Sequence, residues 1–279
     1  MKIFDTFCFM NEIEILELRL MELYDTVDYF VIVEANRSHN GTPKEFIFEQ
    51  NMGLYEKYLD KVIYVKVENM PEYDLKDIFK LEYFQRRQIM RGLHGKAKIG
   101  DKILMSDCDE IPNVKAIKEC LKFKNRWILF KQDLFYYFVN NYVKRGWGGT
   151  VMADFGSFGN DPQRLRAFAK RHSWVKDPSK VAVDGGWHYS YMTGGDAKRV
   201  RDKVALFAEK HLLEIAGSVE DVSKKINTQK DLYDREKTKV TYIEKIVDIS
   251  NNKPRTLDKF LEKYPNFIYQ DCPKCQNFQ

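Results

Sequence analysis

The segment YFVIVEA, residues 29–35, is apolar at almost every position. A strand with one wet face alternates apolar and polar residues, so an unbroken run signals a strand covered on both sides. KVIYVKV (61–67) is a second such run, KIFDTFCF near the N-terminus reads as a third strand, and Lys102 to Met105 as a fourth. Helical patterns lie between them. Ile13, Leu16, Leu20 and Leu23 recur at helical spacing behind Asn11, which is placed to cap that helix with Glu14 three residues on. Leu81, Phe84, Gln85 and Ile89 give a second apolar face before the strand at 102. Strand, helix, strand, strand, helix, strand predicts an α/β fold with parallel central strands.

The second half of the chain differs. RWILFKQDLFYYFVNNYV (126–143) is aromatic and β-prone, and Gly146, Gly148 and Gly149 predict a turn after it. Arg199 to Ile215 predicts one basic amphipathic helix, and the region beyond 228 is charged with short apolar runs. One domain with a helical C-terminal extension is the economical description.

The strand at 102 ends in SDCDEIP (106–112), where Asp107, Asp109 and Glu110 follow one another closely. Like charges that close raise one another's pKa, a cost that water or an intervening cation relieves. In open α/β sheets ligands bind outside the carboxyl ends of the strands. Asp-x-Asp at such an end can aim two carboxylates at one hard cation, Mg²⁺ or Mn²⁺, with phosphate oxygens completing the shell. Arg86 and Arg87, on the helix before this strand, are in range of a diphosphate. Glu34, Asn36 and Arg37 follow the YFVIV strand and should line the same crevice.

Composition narrows the partners. Net charge is only +5, which does not suggest a dedicated nucleic-acid binder. A local basic run, Arg164 to Lys180, has six Lys/Arg against one Asp and suits either phosphate or a solvated loop. No apolar stretch approaches the ~20 residues needed to span a bilayer. Five cysteines, an odd count, argue against a disulfide framework and for a reducing, cytoplasmic setting. Cys272 and Cys275 form C-P-K-C without the second pair a zinc site needs.

Four segments in order carry a resemblance: residues 9–48, EYFQRRQIMRGL (82–93), ILMSDCDEIP (103–112) and GGWHYSY (185–191). Together they resemble glycosyltransferase family 17, the β-1,4-mannosyl-glycoprotein 4-β-N-acetylglucosaminyltransferases, over most of residues 1–270. The resemblance implies a GT-A-like fold, with a mixed, mainly parallel sheet flanked by helices. It divides the chain into a nucleotide-sugar-binding half (1–112), an acceptor-side half (113–227), an extension (228–270) and a polar tail (271–279). It also implies a UDP-sugar donor, UDP-N-acetylglucosamine, a glycan acceptor, and Mn²⁺ or Mg²⁺ at Asp107 and Asp109. His188, behind Gly185 and Gly186, is the expected third metal ligand or diphosphate contact. Glu34, Asn36, Arg37, Arg86, Ser106 and Asp107 are the expected donor contacts. Trp147, Trp187, Tyr136 and Tyr137 are flat platforms suited to acceptor sugars, with Trp147 in an exposed glycine loop. Inverting transfer needs a carboxylate base, for which Asp184 and Asp154 both qualify. Two other classes compete: a nucleotidyltransferase, which also pairs an α/β sheet with carboxylate-bound Mg²⁺, and a non-catalytic carbohydrate- or nucleic-acid-binding protein.

Overall fold

The computed structural model describes residues 1–172, 177, 180–235 and 245–270. Its first half follows the predicted order. It comprises β1 (Ile3–Phe9), α1 (Ile13–Leu23), β2 (Tyr29–Ala35), α2 (Ile47–Gln50), β3 (Val62–Val67), α3 (Lys80–Arg87), α4 (Ile89–Leu93) and β4 (Lys102–Asp107). The second half adds β5 (Glu110–Pro112), α5 (Val114–Cys120), β6 (Ile128–Tyr136), β7 (Asn141–Asp154), α6 (Gln163–His172) and β8 (Val181–Ser190). Then come α7 (Ala197–Val204), α8 (His211–Ala216), α9 (Val219–Asn227), β9 (Lys245–Ile246) and α10 (Leu257–Lys263).

All the strands join one mixed sheet in the order β3-β2-β1-β4-β7-β6-β8-β5, with β9 on β7. β3, β2, β1 and β4 run parallel, and β7 enters antiparallel beside β4. The chain builds outward from β1 to β3, then returns to place β4 on the other side of β1. That reversal opens a crevice beyond the carboxyl ends of β1 and β4, where Cys8 pairs with Asp107. Phe7, Phe30, Ile32 and Leu104 pack on one face of the parallel strands, and Phe4, Val31, Val33 and Met105 on the other. Two buried faces explain why β2 reads as a continuous apolar run.

Several expectations change. The N-cap of α1 is Glu12, not Asn11, and no side chain caps it; the Glu12 carboxylate instead accepts the N–H groups of Met10 and Asn11. α1 is also buried beyond its predicted stripe, because Leu257, Phe260 and Phe267 of the C-terminal segment cover Ile15 and Leu18. The glycines at 146–149 make no turn: β7 runs through them, and the chain reverses at 137–140. Gly149 leaves room for the Gln132 amide, since a Cβ there would lie 1.8 Å from the Gln132 side-chain oxygen and would have to displace it. The helix predicted from 199 to 215 is broken between α7 and α8. Tertiary bonds claim its carbonyls, Ala205 O accepting from Asn40 Nδ2 at 2.6 Å and Ala208 O from the Tyr73 hydroxyl at 3.4 Å. Among the described residues, no helix is long and apolar enough to cross a membrane. Cys272 and Cys275 lie outside the described residues, as does part of the 164–180 basic run.

Candidate active site

Beyond the ends of β1 and β4 lies a cleft of about 290 Å³. One wall comes from Phe9 at the end of β1, Met10 and Glu12 after it, from His39, from Glu82, Gln85 and Arg86 on α3, and from Asp107 to Asp109. The other comes from Tyr136 on β6, Trp147 on β7, Arg166 on α6, His188 on β8 and Tyr191 just after it, Lys203 on α7, and the segment through Glu209. The two halves of the chain therefore meet at the acidic strand end.

A fully buried arginine fixes that strand end. Arg19 Nε and Nη2 donate to the two Asp5 oxygens at 2.7 Å, and Nη2 also donates to Ser106 Oγ at 2.6 Å. Its Nη1 donates to the carbonyls of Asp107, Cys108 and Glu110 at 2.8, 3.1 and 3.0 Å. A single planar fork thus holds the turn between β4 and β5. Glu110 is wholly buried beneath it and accepts the Asp107 N–H at 2.9 Å, Trp147 Nε1 at 2.7 Å and both Arg166 contacts at 2.9 Å.

The cations that relieve the acidic turn are largely the protein's own. Asp107 Oδ1 lies 3.2 Å from Arg86 Nη2, and its Oδ2 lies 2.5 Å from Arg166 Nη2. Asp109 Oδ2 lies 2.9 Å from Lys203 Nζ, which also meets Glu12 at 3.1 Å. Asp109 Oδ1 lies 3.4 Å from His188 Nε2. Burial alone would raise both carboxyls, but Arg166 and Arg86 outweigh it and hold Asp107 at about 2. Lys203 and His188 likewise hold Asp109 well below the carboxylate range against its burial. Burial works against the Lys203 ammonium, and Asp109 and Glu12 more than restore it. Both carboxylates are therefore ionised in the folded protein.

This charge state has a consequence for acid stability. A carboxyl with a lowered native pKa binds fewer protons folded than unfolded. It stabilises the fold above its unfolded pKa and loses that contribution as pH falls toward the native value. For Asp107 the window runs from about 4 down to about 2. The side chain is 36% exposed, so solvent screens part of the effect. The difference in thermal midpoint between wild type and Asp107→Asn should shrink between pH 4 and pH 2. A difference independent of pH would contradict the charged pairing.

His188 reaches the site because β8 threads closely between β5 and β6. A Cβ on Gly185 would sit 2.6 Å from Lys131 N, and one on Gly186, at φ +132°, 2.1 Å from Ile111 O. That packing sets His188 opposite Glu110 in register. Its ring lies against Trp147, centroids 4.7 Å apart. Among the described residues, His188 Nδ1, Arg86 Nε and Arg166 Nε are buried without a hydrogen-bond partner.

Other sequence candidates fall elsewhere. Glu34 is wholly buried and accepts from the Ile47 and Phe48 N–H groups, Lys44 and Tyr64, so it anchors the loop before α2. Asn36 bonds Glu68 O and Arg37 pairs with Glu72, away from the cleft lining. Ser106 lies under the turn as the Arg19 acceptor. Asp154 pairs with Lys102 at the opposite end of β4 from Asp107, which removes it as a base for this cleft. Asp184 is exposed outside the lining and pairs with Arg145. Trp187 is packed in the core with Phe260 and Phe267, and Tyr137 is fully buried with its hydroxyl on Lys230 O, so neither ring offers a face to a sugar. Trp147 sits in a strand rather than an exposed loop, yet lines the cleft as Tyr136 does. Arg87 points to Asp161 at the surface. Sequence reasoning missed Arg166, Lys203, Glu12, His39 and Glu209. Only the basic run around Arg166 and the basic helix carrying Lys203 hinted at two of them.

A family model described as Glycosyltransferase family 17 matches residues 1–272. The β-1,4-mannosyl-glycoprotein 4-β-N-acetylglucosaminyltransferases of Homo sapiens and Rattus norvegicus are each 28% identical over 109 residues, 37% of this chain. The match spans 20% of the length of those relatives. Among solved structures, an active-site mutant of LgtC aligns at 12% identity and a TM-score of 0.33, over 64% of this chain and 66% of that one.

Proposed function

The chain belongs to glycosyltransferase family 17, and on that premise we propose that its cleft transfers N-acetylglucosamine from UDP-N-acetylglucosamine to a glycan acceptor with inversion. The observation that carries this reading is the ionised Asp107 and Asp109 at the reversal point of the sheet, set among Arg86, Arg166, Lys203 and His188. The donor sugar follows the names of the relatives, and the diphosphate follows the chemistry of the site.

Transfer breaks the bond between sugar C1 and the diphosphate oxygen, which leaves with the electron pair. Groups that hold this developing charge lower the barrier. Arg86 and Arg166 are fixed beside Asp107 by Glu82, Gln163 and Glu110, so their guanidiniums need not reorganise. Lys203 adds a buried ammonium on the acceptor side. Trp147 and Tyr136 give the cleft aromatic surface of the kind that suits a sugar face.

The donor set also fits a divalent cation that arrives with the diphosphate. Asp109 Oδ1 and His188 Nε2 are 3.4 Å apart, near the roughly 3 Å separating adjacent ligands of an octahedral ion with ~2.1 Å bonds. Among the described residues no third His, Cys, Asp or Glu completes a free-standing site, so Asp109 and His188 would hold the ion only together with the bound diphosphate. Bound there, Mn²⁺ or Mg²⁺ supplies Lewis-acid stabilisation of the leaving phosphate.

A thermal-shift panel of nucleotide sugars with and without Mn²⁺ tests this. UDP-N-acetylglucosamine at 100 times its dissociation constant should stabilise the protein by about 2.7 kcal/mol, and only with the ion present. Stabilisation by another nucleotide class alone would overturn the donor. His188→Gln should weaken Mn²⁺-supported turnover more than Mg²⁺-supported turnover, because imidazole suits Mn²⁺ better. Equal losses with both ions would remove His188 from the metal shell.

A further inference from the structure

We propose that Glu209 accepts the proton of the attacking acceptor hydroxyl. This rests on the transferase reading above. The acceptor oxygen bonds to donor C1 as the C1–O bond to the diphosphate breaks, and the electron pair leaves on the phosphate oxygen. The hydroxyl proton passes to the Glu209 carboxylate, and the resulting acid later releases it to water.

The remaining carboxylates of the cleft are engaged. Asp107 lies between Arg86 and Arg166, Asp109 between Lys203 and His188, and Glu82 on Arg86. Glu12 holds Lys203 and two backbone N–H groups. A carboxylate clamped by a cation is a poor proton acceptor, because taking the proton forfeits the ion pair. Arg86 depresses Glu82 despite burial, as Arg166 does Asp107. Glu209 lines the same cleft, is half-buried, and its carboxylate has no hydrogen bond or ion pair among the described residues.

Its segment is also held in place. Residues 205–210 are pinned through Ala205 O to Asn40 and through Ala208 O to Tyr73. Phe207 packs tilted against Tyr191, 6.4 Å between centroids, and Tyr191 meets Tyr136 edge-on at 5.2 Å. Glu209 thus stands two residues beyond Phe207, at the end of this aromatic wall. His39, the other cleft group considered as a base, stands beside Glu82, and its neighbour Asn40 is bonded to the Glu209 segment. Its Nε2 donates to Gln85 Oε1 at 3.0 Å, and Gln85 is itself oriented by donating to Phe9 O and Val33 O.

The test uses the full chain with UDP-N-acetylglucosamine and Mn²⁺, reading donor affinity by calorimetry and turnover by UDP release with water as acceptor. Glu209→Gln should lower turnover by about 10²–10⁴-fold while donor affinity stays within about threefold. Glu209→Asp should recover part of the loss, which a merely structural role would not produce. Full turnover in Glu209→Gln overturns the proposal, as does a parallel loss of donor affinity. A collapse confined to His39→Gln would transfer the role to that histidine and overturn it too. If the wild type neither binds nor hydrolyses UDP sugars, the transferase reading itself fails, an outcome distinct from the others.

Discussion

Replacing Arg19 by Met is expected to destabilise the protein by about 3–5 kcal/mol. Arg19 and Asp5 are both fully buried, and Arg19 lies over the Phe7 ring at 4.3 Å as well. Removing the guanidinium leaves the Asp5 carboxylate without its partner in the centre of β1, and strips donors from three carbonyls of the acidic turn. Methionine fills most of the volume, so the loss is electrostatic and not a cavity. Asp5→Leu in the Arg19→Met background should recover part of it, because no buried charge then lacks a partner. Denaturant unfolding of both single variants and the double variant gives the coupling directly. A cost below about 1 kcal/mol for Arg19→Met would show that the pair does not hold the turn.

Why this arginine escaped the sequence reading is instructive. In IEILELRLMEL the apolar stripe is plain, and Arg19 falls among the polar positions that a surface helix turns to water. The stripe predicts one buried face. It carries no sign that residues 249–268 return over the other face, or that Glu17 and Glu22 then pair with Lys263 and Arg255. Periodicity reports local burial well and long-range burial poorly. The same division separates the site calls. Asp107, Asp109 and Arg86 were legible because the parallel strands and α3 are local patterns whose carboxyl ends must converge. His188 was reached through its glycines and the family resemblance. Arg166, Lys203 and Glu209 arrive from α6, α7 and the break after α7, and nothing within a window of ten residues says where those elements dock. Asp154 and Asp184 failed for the complementary reason: a carboxylate near an aromatic or glycine-rich segment looks the same at either end of a sheet. The sequence left the acidic turn's cost to water or to a cation among the carboxylates. The structure meets it with guanidinium and ammonium groups brought from three helices.

Asp109→Asn should lower sugar transfer by about 10²–10³-fold, whereas Asp154→Asn and Asp184→Asn should leave it within about twofold. The three substitutions make the same chemical change, a carboxylate to its neutral isostere, so the contrast isolates position. Asp109 has one oxygen toward Lys203 and the other toward His188. Neutralising it removes a charged ligand of the proposed cation and leaves the buried Lys203 ammonium with Glu12 alone. The loss should therefore appear in turnover and in the Mn²⁺ dependence of UDP binding together. Asp154 stands across the sheet with Lys102, and its loss should be visible in the thermal midpoint instead, since that pair is nearly buried. Asp184 is solvated and should change neither. Activities are compared well below each variant's unfolding transition, which keeps folding out of the ratio. If Asp109→Asn turns over at the wild-type rate with the same response to Mn²⁺, the acidic turn is a structural knot and the catalytic assignment of the cleft is wrong. Retained turnover without any Mn²⁺ response in the wild type would instead assign the leaving diphosphate to Arg86, Arg166 and Lys203 alone.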